Sequence, residues 1–265
     1  MNAPLLLSRA GAVATLTLNR AESLNALDLG MIDGLVEHTA ALAADASVRC
    51  VIVNGAGKHF MAGGDIHMFA SELSLAPEER RKHLAGIIAR VHAAIEGIHR
   101  MPQPVIASVQ GAVAGFGLSL LAACDLAIAA DDAYFTLAYR HIGTTPDGGS
   151  TWTLPRLVGT RRAMEMVLLA QRFDTAEALR IGLVNRVVVA AELAASTAAI
   201  AEAIASGPAL AIANGKRLIN QSSTRSLSEQ LAAEAASFSA CAASGDFAEG
   251  IRAFLEKRPA RFGSS

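Results

Sequence analysis

Two short stretches offer main-chain N–H groups with little side chain around them: Met61-Ala62-Gly63-Gly64-Asp65-Ile66 and Gly111-Ala112-Val113-Ala114-Gly115-Phe116-Gly117. Glycine lets a ligand approach the backbone closely, and a helix beginning near Gly115 would aim its positive dipole end at the same place. Amides converging there could stabilise negative charge developing on an oxygen. The alternative is that these glycines serve only tight turns and close packing. Other glycine-rich devices do not fit. A GxGxxG pattern counted from Gly115 fails at Leu120, and no Gly-Lys-Ser/Thr follows. Ser119 is no nucleophile elbow, because Leu121 stands where the second glycine would be.

The elements that must position these turns are readable from periodicity. Each turn follows an apolar run, 50–53 and 105–109, that reads as a buried strand; 126–129 reads as a third, and 13–18 alternates as a half-buried strand does. Between them, Leu27, Met31, Leu35, Thr39 and Leu42 mark a helix from 26 to about 44. Pro77-Glu78-Glu79 opens another, with the stripe Leu84, Ile88, Val91, Ile95 and Ile98. The alternation predicts an α/β architecture with a mostly parallel sheet. Further on, Asp174 with Glu177 forms a capping box and Gly182 a C-cap, ahead of a strand at 183–189; Ser226 with Glu229 and Asp246 with Glu249 repeat the box. From about 190 onward the pattern predicts three or four alanine-rich helices suited to covering the core or meeting another subunit.

Composition bounds the function. The 265 residues are 52% hydrophobic and 18% charged, enough for one large core with apolar surface to spare for a subunit interface. A formal net charge of −1 with scattered basic residues gives no electrostatic footprint for nucleic acid, so small molecules are the expected partners. Cys50, Cys124 and Cys241 are odd in number and far apart, which suits reduced thiols. The amino end shows neither a basic n-region nor an amphipathic leader, so a cytoplasmic location is expected. The uncharged stretch 101–124 approaches a membrane span in length, but Pro102, Pro104, Gln110, Gly111, Gly115 and Gly117 fit a strand, turn and core helix instead.

Six segments in order resemble the signatures of the crotonase (enoyl-CoA hydratase/isomerase) superfamily: Asn19-Arg20 with Leu24-Asn25-Ala26-Leu27; Val53-Asn54-Gly55-Ala56-Gly57 with Phe60-Met61-Ala62-Gly63-Gly64-Asp65; Pro104-Val105-Ile106-Ala107 with Gly111 and Gly115-Phe116-Gly117; Leu154-Pro155-Arg156-Leu157-Val158-Gly159; Ala176-Glu177-Ala178 with Gly182-Leu183-Val184; and Phe254-Leu255-Glu256-Lys257-Arg258. The resemblance implies a spiral of ββα units over 1–190, carrying the CoA-binding and oxyanion site, with a C-terminal helical trimerisation region over 191–265. It also implies a homotrimer or dimer of trimers and an acyl-CoA or aroyl-CoA substrate, with no separate cofactor, metal, nucleic acid or membrane. The oxyanion donors fall on the amides of Gly64 and Phe116. Ala62, Gly63, Asp65 and Ile66 fall along the CoA-binding turn, and Lys257 on a position that reaches the CoA phosphates of a neighbouring subunit.

The sequence departs from hydratase-type members, whose two glutamates fall on Ser119 and Tyr139. Hydroxyls that ionise near pH 10 or above cannot replace carboxylates in adding water. One carboxylate remains, Asp147 in Thr145-Pro146-Asp147-Gly148-Gly149, which resembles the proton-moving aspartate of isomerase-type members. The residue-level alternative is a turn aspartate capping the following backbone. The same position is similar to the nucleophile of a 4-chlorobenzoyl-CoA-dehalogenase-like branch, in which His92 would activate water and Tyr139 would support the nucleophile; His92 also suits a merely structural rim position. Asp65 reads as pinning its loop rather than as a base. The leading expectation is a CoA-thioester isomerase or lyase using Gly64, Phe116 and Asp147. A hydrolytic enzyme with Asp147 as nucleophile and His92 as base is the second expectation, and a non-catalytic CoA- or RNA-binding member the third.

Overall fold

A computed structural model describes residues 3–263. The chain runs through β1 (Leu5–Ala10), β2 (Val13–Leu18), α1 (Leu29–Ala44), β3 (Cys50–Gly55), α2 (Ile66–Ser71), α3 (Pro77–Arg100), β4 (Val105–Val109), β5 (Ala112–Ala114), α4 (Phe116–Ala123), β6 (Leu126–Ala130) and β7 (Tyr134–Thr136). It continues through α5 (Ser150–Val158), α6 (Thr160–Leu169), β8 (Phe173–Asp174), α7 (Thr175–Arg180), β9 (Arg186–Val188), α8 (Leu193–Ala205), α9 (Ala209–Ser222), α10 (Leu227–Ala242) and α11 (Gly245–Leu255).

The larger sheet has the order β1-β2-β3-β4-β6-β9; β1 pairs with β2 antiparallel and every later pair is parallel. Its central strands are almost wholly apolar, Asn54 and Ser108 apart, because both faces are covered. Val51, Val53, Val105 and Ala107 join the main core with α1 and α3, while Cys50, Ile52, Ile106 and Ile128 join a second core under Leu193 and Ala201 of α8. A smaller sheet runs β5-β7-β8, and single bridges Met61–Val113 and Leu27–Gly64 carry its strand stacking further. Each pass of the chain thus lays a strand in the large sheet, a short one in the small sheet and then a helix, as in β4, β5, α4. This is the spiral of ββα units, followed by C-terminal helices.

Several local expectations are corrected by hydrogen bonds that sequence spacing does not reveal. Helix α1 starts at Leu29 rather than 26, because Asp28 accepts from the Met31 amide at 2.8 Å and Leu27 is held extended against Gly64. The α3 stripe centres on Ile87, Val91, Ala94, Ile95 and Ile98, leaving Leu84 and Ile88 half-buried. Asp174 accepts from the Glu177 amide at 2.9 Å, but the Glu177 carboxylate pairs with Arg180 and Arg162, so the box is only half made. The strand expected at 183–189 is reduced to β9, because the amides of Leu183 and Val184 turn back to the Ala178 carbonyl past Gly182. Ser244, not Asp246, caps α11, and Glu249 is taken by Arg258. The Ser226–Glu229 box forms in both halves.

Helix α8, within 191–265, shares the second core, whereas Ile219, Leu227, Leu231, Phe238, Phe254 and Leu255 on α9 to α11 face outward. Helix α9 is tied to the core by Lys216, whose buried Nζ meets Asp125 Oδ2 at 2.7 Å and donates to the carbonyls of Gln103 and Ile98 at 3.0 and 3.2 Å. Among the described residues no single helix is long and apolar enough to cross a membrane.

Candidate active site

The backbone half of the site is assembled before any reactive side chain enters it. Asn25, fully buried at φ +54°, donates to the carbonyls of Ala56 and His59 at 2.9 and 2.8 Å and accepts from the Arg20 amide at 2.9 Å, fixing the approach to residue 61. The two glycine turns are then stitched together: Met61 N donates to Ala112 O at 3.0 Å, and Ala114 N to Met61 O at 2.9 Å. On the other side, Ala62 N donates to Leu24 O, Leu27 N to Gly63 O, and Asp65 N to Leu27 O. These bonds use the groups flanking Gly64 and leave its own N–H without an acceptor among the described residues. Phe116 opens α4, so its N–H is one of the orphan donors of a helix start.

The turns touch. A Cβ on Gly115, which has φ +51°, would lie 3.4 Å from Gly63 Cα, and one on Gly63 would lie 3.9 Å from the Phe116 nitrogen. A Cβ on Gly117 would overlap Met61 O at 2.5 Å, so the α4 start can approach the first turn only as glycine. Gly64 is roofed by Phe69, whose ring would meet a Cβ at 2.7 Å. Two unused amides on abutting turns, one with a helix dipole behind it, can stabilise an oxyanion.

The side-chain half lies on the loop before α5. Gly148, at φ +58°, packs so closely that a Cβ would sit 2.8 Å from the Phe116 ring and 2.9 Å from Ser119 Cβ. That contact brings Asp147 to the start of α4, and the buried Phe116 ring serves as a floor for the loop. Tyr139 OH donates to Asp147 Oδ1, and Ser119 Oγ meets Tyr139 OH at 3.0 Å. The two places that the resemblance gives to a glutamate pair therefore face one another. Burial pushes the Asp147 carboxyl above its ordinary value, against the Tyr139 hydrogen bond and the nearby His92, which pull it down. Burial, then the adjacent carboxylate, drives Tyr139 well above the usual tyrosine range. The Asp147 main-chain carbonyl accepts from Ser150 Oγ at 2.9 Å, whereas the side-chain bond of its carboxylate is to Tyr139 OH rather than to a following backbone amide.

His92, on the exposed side of α3, reaches the same loop: its Nε2 accepts from the Gly148 amide at 3.4 Å, a long bond. Asp65 does pin its turn, capping α2 through His67 N at 2.9 Å and pairing with Arg20 at 2.8 Å. Burial works to raise the Asp65 carboxyl, but Arg20 and the His67 amide outweigh it and hold it low. Ala62 is half-buried beside Gly63, whereas Ile66 at the start of α2 and Lys257 just past α11 are exposed. Sequence reading missed Asn25 and Arg20 as organisers and the mutual contact of Ser119 with Tyr139. Both Arg20 and Asn25 stand in the first of the six resembling segments, and that position was the signal that could have found them.

A surface hollow of about 520 Å³ lies elsewhere, lined by Val158 to Arg162 and Glu165. It contains none of these groups, and the physical case for the site rests on amide and carboxylate geometry. Among the described residues no group of three or more His, Cys, Asp or Glu could hold a metal ion.

A family model described as enoyl-CoA hydratase/isomerase matches residues 8–265. The chain is 38% identical to a probable enoyl-CoA hydratase of Rhodobacter capsulatus over 252 residues, 94% of each chain. It is 34% identical to the 1,2-epoxyphenylacetyl-CoA isomerase of Escherichia coli over 251 residues, again 94% of each. Among solved structures, an enoyl-CoA hydratase from Polaromonas sp. JS666 superposes with a TM-score of 0.92 at 34% identity, covering 98% of this chain and 99% of that one.

Proposed function

The chain belongs to the enoyl-CoA hydratase/isomerase family, and from that premise we propose that it is a CoA-thioester isomerase that moves a proton along the acyl chain through an enolate. The thioester oxygen would rest between the amides of Gly64 and Phe116. Asp147 would take a proton from the carbon next to the thioester, sending the electron pair onto that oxygen, and return it further along the chain as the double bond forms in its new place. One observation carries the reading: a single buried carboxylate stands on a loop clamped by Gly148 to the start of the oxyanion helix. Burial raises Asp147 toward the range in which a carboxyl can both accept and return a proton. Ser119 and Tyr139, hydroxyls in contact, supply no second carboxylate for adding water. The isomerase named among the relatives is compatible with this reading, as the hydratases are with the shared enolate step.

The exposed apolar side chains of α9 to α11 support assembly into a trimer or dimer of trimers, with 191–265 as the contact region and Lys257 available to a neighbouring subunit's CoA. Ala62, Gly63, Asp65 and Ile66 are the residues proposed to shape the CoA-binding turn.

The test is turnover of a 3-enoyl-CoA in D2O. Asp147→Asn is expected to lose about 1000-fold in kcat and in deuterium incorporation at carbon, while still binding CoA. A variant that exchanges and isomerises like the parent would refute the assignment. The hydrolytic alternative rests on the His92 imidazole at the same loop. It predicts free CoA release and an acyl or aryl ester trapped on Asp147, dependent on His92.

A further inference from the structure

The contact between Ser119 and Tyr139 leaves open which oxygen donates when it is taken by itself. The rest of the network decides it. Tyr139 has one hydroxyl proton, and that proton is directed at Asp147 Oδ1, an oxygen that can only accept while the carboxyl is ionised. Nothing remains for Tyr139 to donate to Ser119, so Ser119 must donate to Tyr139. Ser119 is 0% exposed, which excludes bulk water as a substitute partner. The direction also survives a proton landing on the carboxyl: with Oδ2 protonated, Oδ1 still accepts from Tyr139, and no hydroxyl has to turn over. Ser119 and the loop are fixed together as well, since Gly148 packs against both Ser119 Cβ and the Phe116 ring.

We propose that Ser119, Tyr139 and Asp147 form a one-way chain of hydrogen bonds in which Ser119 is a positioning residue, committing the Tyr139 proton to Asp147 Oδ1 and leaving Oδ2 as the oxygen that exchanges a proton with substrate. The inference deepens the isomerase reading and rests on Asp147 being its base. Three side chains face the Asp147 carboxyl from the elements packed around it: Tyr139 from the turn at 138–142, Ser119 behind it on α4, and His92 from α3 on the open side. The first two act as one unit, and His92 reaches the loop separately, through the Gly148 amide.

The chain can be tested without substrate by infrared titration, following the Asp147 carboxyl band identified as the one missing in Asp147→Asn. Tyr139→Phe removes a hydrogen bond that favours the ionised form, so the Asp147 titration moves to higher pH. Ser119→Ala moves it the same way by less, and the double variant matches Tyr139→Phe alone, because Ser119 acts only through the tyrosine. With a 3-enoyl-CoA, kcat is expected to fall about tenfold for Tyr139→Phe and about threefold for Ser119→Ala, with KM unchanged. An unmoved titration in Tyr139→Phe overturns the chain. So does a Ser119→Ala effect that persists at full size when Tyr139→Phe is already in place. Retained turnover in Asp147→Asn would instead strike the base assignment, leaving the titration to judge the chain separately.

Discussion

The two halves of the site are built by different means. Around Gly64 and Phe116 the functional groups are amides, and their geometry is set by close approach of backbone to backbone: Gly115 against Gly63, Gly117 against Met61, Leu27 against Gly63 and Asp65. Around Asp147 the functional groups are side chains, held by a hydroxyl network and by one glycine wedged under a phenyl ring. The first half contains nothing that titrates at the reacting centre, so on the proposed reading it would stabilise one kind of intermediate whatever the acyl group. On the same reading the second half would decide what happens to that intermediate, and three or four side chains could change it without touching the first. This division is compatible with the likeness of one chain both to a relative named for hydration and to one named for isomerisation.

Apart from removal of the Asp147 carboxylate itself, the largest expected loss comes from the backbone half. Gly64→Ala would drive a methyl group into the Phe69 ring and swing the amide from its mark, and a loss of between about 100- and 1000-fold in kcat is expected, with the Asp147 infrared titration unchanged. Activity close to the parent would mean that the Gly64 amide does not meet the oxygen. From the side-chain half, Gly148→Ala forces a left-handed φ on alanine and overlaps both Phe116 and Ser119. Displacing Asp147 by about an ångström should cost about 100-fold, while CoA affinity measured by calorimetry holds.

The smallest expected effect is on stability, and it too separates the two halves. Asp147 has a folded pKa above its ordinary 3.8, so the folded state binds a proton more readily than the unfolded one, and stability falls as pH rises between the two values. Above the folded value Asp147 carries the cost of a buried charge, which asparagine lacks. Asp147→Asn is therefore expected to be more stable than the parent by about 1 kcal/mol in urea unfolding at neutral pH, a gain that disappears below pH 3.8. A variant less stable at neutral pH would show that the carboxylate holds its loop together.

What could be read in the sequence follows the same division. The glycine turns, the apolar runs of β3, β4 and β6 and the stripe of α3 are local patterns, and the structure places each where periodicity puts it, apart from shifts of a few residues. Element ends moved where another partner was taken: the Glu177 carboxylate went to Arg180 and Arg162 and that of Glu249 to Arg258, while the Leu27 backbone was bridged to Gly64. Asp147 was visible as the surviving carboxylate. Ser119 and Tyr139 were visible only as missing glutamates, because their contact spans 20 residues and depends on the spiral bringing α4 beneath the loop. The Lys216–Asp125 pair, which anchors α9 to a distant part of the chain, left no sequence signal at all.

The proposed catalysis depends on two amides meeting one oxygen. Raman difference spectroscopy of a 13C-labelled acyl-CoA thioester bound to Asp147→Asn, where turnover is blocked, reads that contact directly. The carbonyl stretch should move to lower frequency than in solution and recover most of the difference when Gly64→Ala is added. A bound thioester whose carbonyl vibrates as it does free in water would contradict the assignment of Gly64 and Phe116.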